Sequence, residues 1–130
     1  MDDVGIALIT EGNKALITQR RAEDSFPSYW EFPGGRCEEG ESPQDCVIRE
    51  MLEELEITVG IEGPGPEVVH QYPDGTIRLI SFWCKRLEGE PVTKEAVDLC
   101  WVQAGELSQY RFPPASETLI EAVREKLNHR

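Results

Sequence analysis

Positive charge is scarce in this sequence: 13 lysines and arginines stand against 25 aspartates and glutamates, a net charge of −12. Such a balance repels polyanions and argues against binding along a DNA or RNA backbone. It leaves room for a small phosphorylated ligand, provided metal cations lie between protein and phosphate. Histidine is nearly absent, with only His70 and His129, and the cysteines Cys37, Cys46, Cys84 and Cys100 show neither C-x-x-C nor zinc-ligand spacing. A Cys/His zinc centre therefore has few candidates. The cysteines are expected as free, mostly buried thiols in a reducing compartment. No apolar run approaches the roughly 20 residues that span a bilayer, and the opening MDDVGIALIT lacks the basic region of a signal peptide. The expectation is a cytoplasmic protein with no membrane partner.

What is present fits one globular domain, residues 1–130. Hydrophobic residues make up 39% and charged residues 29%, enough to build a core at this length. Val4–Ile9 and Ala15–Gln19 read as a hairpin around the turn Glu11-Gly12-Asn13. Arg20–Tyr29 reads as a loop, and Trp30-Glu31-Phe32 as a short strand stopped by Pro33. Ser42-Pro43-Gln44-Asp45 starts a helix, with Ser42 as N-cap, Pro43 at the first helical position and Asp45 adding negative charge to the first turn. This helix is expected to run to about Leu55. Strands are expected at Ile57–Ile61 and Glu67–Tyr72, divided by the breaker Gly63-Pro64-Gly65-Pro66. Pro73-Asp74-Gly75 turns into a long strand over Thr76–Arg86, followed by a strand at Leu99–Val102 and a helical turn at Gly105–Ser108. A final helix over Ser116–Leu127 carries the stripe Leu119, Ile120, Val123 and Leu127. Strands interleaved with two helices favour a layered α/β sandwich. Trp30, Trp83 and Trp101 are expected in the core.

The segment GGRCEEGESPQDCVIREMLEELEI, Gly34–Ile57, concentrates the acids Glu38, Glu39, Glu41, Asp45, Glu50, Glu53, Glu54 and Glu56. On the helix, Glu50, Glu53 and Glu54 share one face, with Ile48, Met51, Leu52 and Leu55 expected on a largely opposite apolar face. Like charges at i, i+4 cost a few tenths of a kcal/mol, and glutamates near a helix C-terminus meet the unfavourable end of its dipole. Two readings account for them: a solvated acidic face, or hard oxygen ligands for Mg²⁺ or Mn²⁺. Bound metal neutralises phosphate charge and makes water a competent nucleophile near neutral pH. Gly34-Gly35 adds a possible backbone carbonyl ligand.

Gly35, Glu41, Arg49, Glu50, Met51, Glu53, Glu54 and Ile57 fall in register on the motif G-x5-E-x7-R-E-U-x-E-E-x-G-U, where U is a bulky apolar residue. The chain thus resembles the Nudix hydrolases, with a Nudix box at 35–57. ITQRRA, WEFPGG, QYPDG, LEGEPVTKE and FPPASE extend the likeness to the MutT-type subgroup over nearly the whole chain. The resemblance implies a Nudix fold, an α/β/α sandwich with a mixed sheet, and Mg²⁺-dependent pyrophosphohydrolysis of a nucleoside triphosphate to monophosphate and pyrophosphate. It implies Glu50, Glu53 and Glu54 as metal ligands, with Glu50 also a candidate to orient or deprotonate water. The Gly34 carbonyl and Glu95 are implied as further ligands, Glu95 alternatively as base. Glu41 and Arg49 are implied to brace the loop against the helix, and Arg21, Glu31, Tyr72, Asp74 and Ser116 to stand near the nucleotide.

Two positions depart from the pattern. Glu56 replaces the glycine that follows the helix, where a left-handed conformation costs an L-residue about 1 kcal/mol. Ser116 stands where MutT-like chains often carry asparagine, and a hydroxyl cannot make the paired donor–acceptor contact of an amide. An oxidised guanine nucleotide therefore competes with CTP or a modified dCTP as the expected substrate. ADP-ribose is the further catalytic alternative, and a nucleotide sensor without catalysis the non-enzymatic one.

Overall fold

The computed structural model describes residues 1–129. Its strands are β1 (Asp2–Glu11), β2 (Lys14–Gln19), β3 (Trp30–Glu31), β4 (Gly34–Arg36), β5 (Thr58–Tyr72), β6 (Gly75–Glu88) and β7 (Asp98–Gln103). The helices are α1 (Pro43–Leu55) and α2 (Glu117–Asn128), with short 3-10 helices at Ala104–Gln109 and Pro114–Ser116.

The mixed sheet is built around β1. One edge of β1 runs parallel to β6, from Asp2 opposite Ile77 to Ile9 opposite Cys84. Its other edge is shared: Val4–Ile6 pair antiparallel with β4, and Thr10–Glu11 pair with β2. Strand β2 pairs in turn with β3 and β7, and β5 lies outermost beside β6. Period-two alternation feeds two separate cores. Ile6, Leu8, Ala15 and Ile17 face Leu119, Val123 and Leu127 of α2. Ala7, Ile9, Leu16, Phe82 and Cys84 face Val47, Met51 and Leu55 of α1. Helices therefore cover both faces, which gives the expected α/β/α sandwich.

Several expectations need correction. β4 was not anticipated: Gly34–Arg36 looks like a turn, yet it pairs with β1 because neither glycine presents a side chain there. A Cβ at Gly34 would run into the backbone of Gly5 and Ile6. β5 is one strand rather than two. It crosses the Gly-Pro repeat by register shifts at Ile61/Gly63 and Pro64/Glu67, which an edge strand tolerates because its outer N–H groups have no ladder partner. On α1 the face against the sheet is Cys46, Val47, Met51 and Leu55; Ile48 and Leu52 are 37% and 56% exposed. The helix is rotated so that the row at Val47, Met51 and Leu55 packs, and the acidic row at Glu50 and Glu54 runs beside it rather than opposite. Trp30, Trp83 and Trp101 pack against the cores but are only half-buried. The cysteines divide: Cys37 and Cys46 form a disulfide, while Cys84 and Cys100 are free.

Candidate active site

Helix α1 starts where its local chemistry dictates. The Ser42 hydroxyl accepts the Asp45 N–H at 3.1 Å, and Pro43 occupies the first turn. It ends at Glu56 in the left-handed conformation, φ 57° and ψ 35°, so the glutamate takes the strain that the usual glycine avoids rather than ending the helix differently. The last-turn carbonyls find partners in the loop after β6. Leu55 O accepts the Val92 N–H at 3.0 Å and Glu54 O accepts the Lys94 N–H at 3.3 Å, while Lys94 Nζ lies 3.1 Å from the Glu56 carboxylate. Carbonyls that a helix end leaves unpaired thereby hang the loop carrying Glu95 beside Glu54.

A cleft of about 750 Å³ opens between the first turns of the sheet and the segment before α2. Glu31, Gly34, Gly35, Glu54 and Glu95 line it, as do Arg21, Tyr72, Asp74 and Ser116. Glu50 sits beneath Gly35, where a Cβ would overlap its carboxylate; glycine is required here by contact rather than by backbone conformation. Glu50 places its negative charge beside Glu54. Burial, then Glu50, Glu95 and Glu31, push the Glu54 carboxyl up to about 9. Glu31 is raised by burial, an effect opposed by Arg20 Nη1 at 2.7 Å. Glu54 buried among the like charges of Glu50, Glu95 and Glu31 supplies the hard carboxylate oxygens that a divalent cation takes as ligands, so the residue types fit one.

Arg49 organises the other side of α1. Its guanidinium donates to Glu41 at 2.7 and 3.0 Å, to Glu50 at 3.0 Å, to Glu53 at 3.0 Å and to the Arg36 carbonyl at 3.1 Å. Glu41 also accepts the Glu38 N–H at 2.9 Å, and its carboxyl is held below its ordinary range chiefly by Arg49. Glu53 is 58% exposed, turned toward Arg49 and away from the cleft. Of the acids expected to act together, Glu54 and Glu95 line the cleft, Glu50 stands beside Glu54 behind Gly35, and Glu53 lies outside it. Among the described residues, the cluster whose donor atoms all lie within 4.8 Å of one another is a different one, Cys37, Glu41 and Cys46. The two sulfurs are bonded to each other and Glu41 is held by Arg49, so that cluster is not a metal centre.

At the far end of the cleft, the Tyr72 hydroxyl accepts the Ala115 N–H at 3.2 Å, joining β5 to the segment that carries Ser116. Ser116 is 8% exposed. Arg21 is taken up by Asp24 at 3.2 Å and Glu23 at 3.2 Å on the loop between β2 and β3. Sequence reasoning missed Arg20, whose guanidinium fixes Glu31 and the Ser25 carbonyl, and Phe26, whose ring lies 5.4 Å from Tyr72. Both sit in a polar loop, where only the three-dimensional approach of β5 selects them.

A family model for the NUDIX domain matches residues 5–122. An Escherichia coli (strain K12) relative named 8-oxo-dGTP diphosphatase is 36% identical over 121 residues, 93% of this chain and 93% of that one. A second relative from the same strain, named CTP pyrophosphohydrolase, is 35% identical over 126 residues, 94% of this chain and 90% of its own length. Among solved structures, the E. coli ORF135 protein in solution superposes with a TM-score of 0.87 at 29% identity, covering 100% of this chain and 93% of that chain. The Staphylococcus aureus MutT protein, of the Nudix hydrolase family, gives 0.77 at 31%, covering 99% and 97%.

Proposed function

The chain belongs to the NUDIX domain family and is a hydrolase of phosphorus-containing acid anhydrides, and from that premise we propose that it cleaves modified nucleoside triphosphates to monophosphate and pyrophosphate, cleansing the nucleotide pool. The observation that carries this reading is one cleft lined by Glu54 and Glu95 and by Tyr72, Asp74 and Ser116, with Glu50 packed against its Gly35 wall. The family works with divalent metal, and we take Mg²⁺, with Mn²⁺ able to substitute. The Gly34 carbonyl, Glu50, Glu54 and Glu95 would hold it, and Glu53 would join them only by leaving Arg49. Bound there, it would screen the triphosphate charge from a protein of net charge −12 and lower the pKa of a bound water.

The remaining work falls to protein groups. Glu50, held by Arg49 and seated on Gly35, orients or deprotonates the attacking water; Glu95 is the alternative base. Arg20, Arg21 and Arg36 line the cleft and are the cations available to phosphate oxygens. Tyr72 offers a ring for stacking, and Asp74 and Ser116 stand at the base edge.

The choice of base divides the reading. The relative named 8-oxo-dGTP diphosphatase supports an oxidised purine. The short Ser116 side chain, together with the relative named CTP pyrophosphohydrolase, supports CTP or a modified dCTP. Incubation with Mg²⁺ and a panel of canonical and oxidised purine and pyrimidine triphosphates, with pyrophosphate as readout, decides between them. Turnover of none would overturn the triphosphate reading. Glu53→Gln is expected to lose about 10²-fold or more in kcat with unchanged circular dichroism; wild-type activity would remove Glu53 from the metal set.

A further inference from the structure

The Cys37–Cys46 bond ties the loop after β4 to the first turn of α1, inside the segment that carries Glu41. Cys46 is fully buried. Its sulfur covers Gly5 of β1, where an added Cβ would meet it at 2.9 Å, and lies 3.6 Å from the Gly35 carbonyl oxygen. The Cα of that same Gly35 carries the Glu50 carboxylate packed against it. A single residue therefore touches the sulfur bridge with its carbonyl and the reacting corner with its Cα. A second route runs through the bridged loop: Glu41 is held by Arg49, and Arg49 holds Glu50.

We propose that Cys37–Cys46 is a thiol–disulfide exchange site whose redox state sets how firmly Glu50 is held. Its two cysteines are thus positioning residues for hydrolysis. The proposal rests on the triphosphate reading for its rate readout alone. Cys37 is half-buried, so its sulfur is the one a dithiol reductant reaches. The reductant's thiolate attacks Cys37 Sγ, the S–S bond breaks, and Cys46 leaves as a thiolate and takes a proton. The second thiol of the reductant then displaces Cys37 as a thiol and closes its own disulfide. Two electrons and two protons pass from dithiol to protein. Cys46 lies in the first turn of α1, where the helix dipole favours the departing thiolate. Buried Cys84, its thiol pushed up to about 12 by desolvation, offers no competing site. Once the bridge opens, the loop from Cys37 to Cys46 loses its covalent closure, and the restraint on Gly35 against Glu50 and on Glu41 against Arg49 is lost with it.

The test compares air-oxidised protein with the same sample reduced by dithiothreitol. Denatured thiol titration should find only Cys84 and Cys100 reactive before reduction and all four cysteines after it. Reduction should lower the melting temperature by several degrees and lower kcat about tenfold or more, with KM for the nucleotide unchanged. It should also shrink the rise in melting temperature that Mg²⁺ produces, and reoxidation should restore all of these. Cys37→Ser/Cys46→Ser should match the reduced protein and ignore dithiothreitol, while Cys100→Ser should respond as wild type. Four reactive thiols in the oxidised sample, or an Mg²⁺ response and kcat indifferent to reduction, would overturn the proposal. If no triphosphate is turned over, the functional reading fails, and thiol count and Mg²⁺ response still decide the exchange site.

Discussion

Glu54 is the residue whose environment has the plainest thermodynamic consequence. Its folded carboxyl titrates near 9 against 4.5 for the free side chain. The folded state therefore keeps a proton that the unfolded state has surrendered, and stability from this group is full below about 4.5 and drains away as pH rises toward 9. Asp3, Glu11, Asp24 and Glu41 are lowered by their arginine partners and run the other way, but their contribution is lost only on acidification below the ordinary carboxylate range. In EDTA, urea midpoints should fall between pH 5 and pH 8.5, and Glu54→Gln should flatten that decline. A wild-type midpoint independent of pH would show that the carboxylates of the corner are better compensated than their geometry indicates. Gly35→Ala probes the neighbouring contact. Its methyl would displace Glu50, and kcat should drop by about 10²-fold while the melting temperature moves far less than the rate. Wild-type kcat in that variant would remove the packing argument.

At the scale of elements, α1 was legible because its signals are local. Ser42, Pro43 and Asp45 act within one turn, and the motif register placed Glu50 and Glu54 on it correctly. What sequence could not specify was the rotation of the helix on the sheet, which depends on the volumes of Ala7, Leu16 and Phe82 beneath it. Ile48 and Leu52 were accordingly misassigned to the buried face. β4 and the continuous β5 escaped for a related reason: their pairing partners come from distant parts of the chain, and glycine and proline signal a break only where no such partner exists. The disulfide was hidden likewise, since the 5.1 Å approach of the Cys37 and Cys46 Cα atoms is produced by the fold. The helix terminus supplies the test at this scale. Glu56→Gly removes the left-handed penalty of about 1 kcal/mol and with it the half-exposed contact to Lys94, a pair worth less. The melting temperature should rise by a few degrees without loss of turnover. A fall would refute the strain account.

For the molecule as a whole, the defining connection is the parallel pairing of β1 with β6. It is fastened at both ends by Asp3–Arg78 and Glu11–Arg86, each at 2.7 Å and each separated by 75 residues. Loop closure on that scale must precede the contacts that reward it, so refolding followed by tryptophan fluorescence should be slow, in the range of milliseconds to seconds. Completion in microseconds would mean that β1 and β6 need not meet in the rate-limiting step. The same separation has a consequence during synthesis. At roughly 5–20 residues per second, a ribosome releases β1 several seconds before β6 exists to cover it. During that interval the apolar run from Ile6 to Ile9 is an open strand edge, and nascent-chain chaperones should find their handle on this protein there.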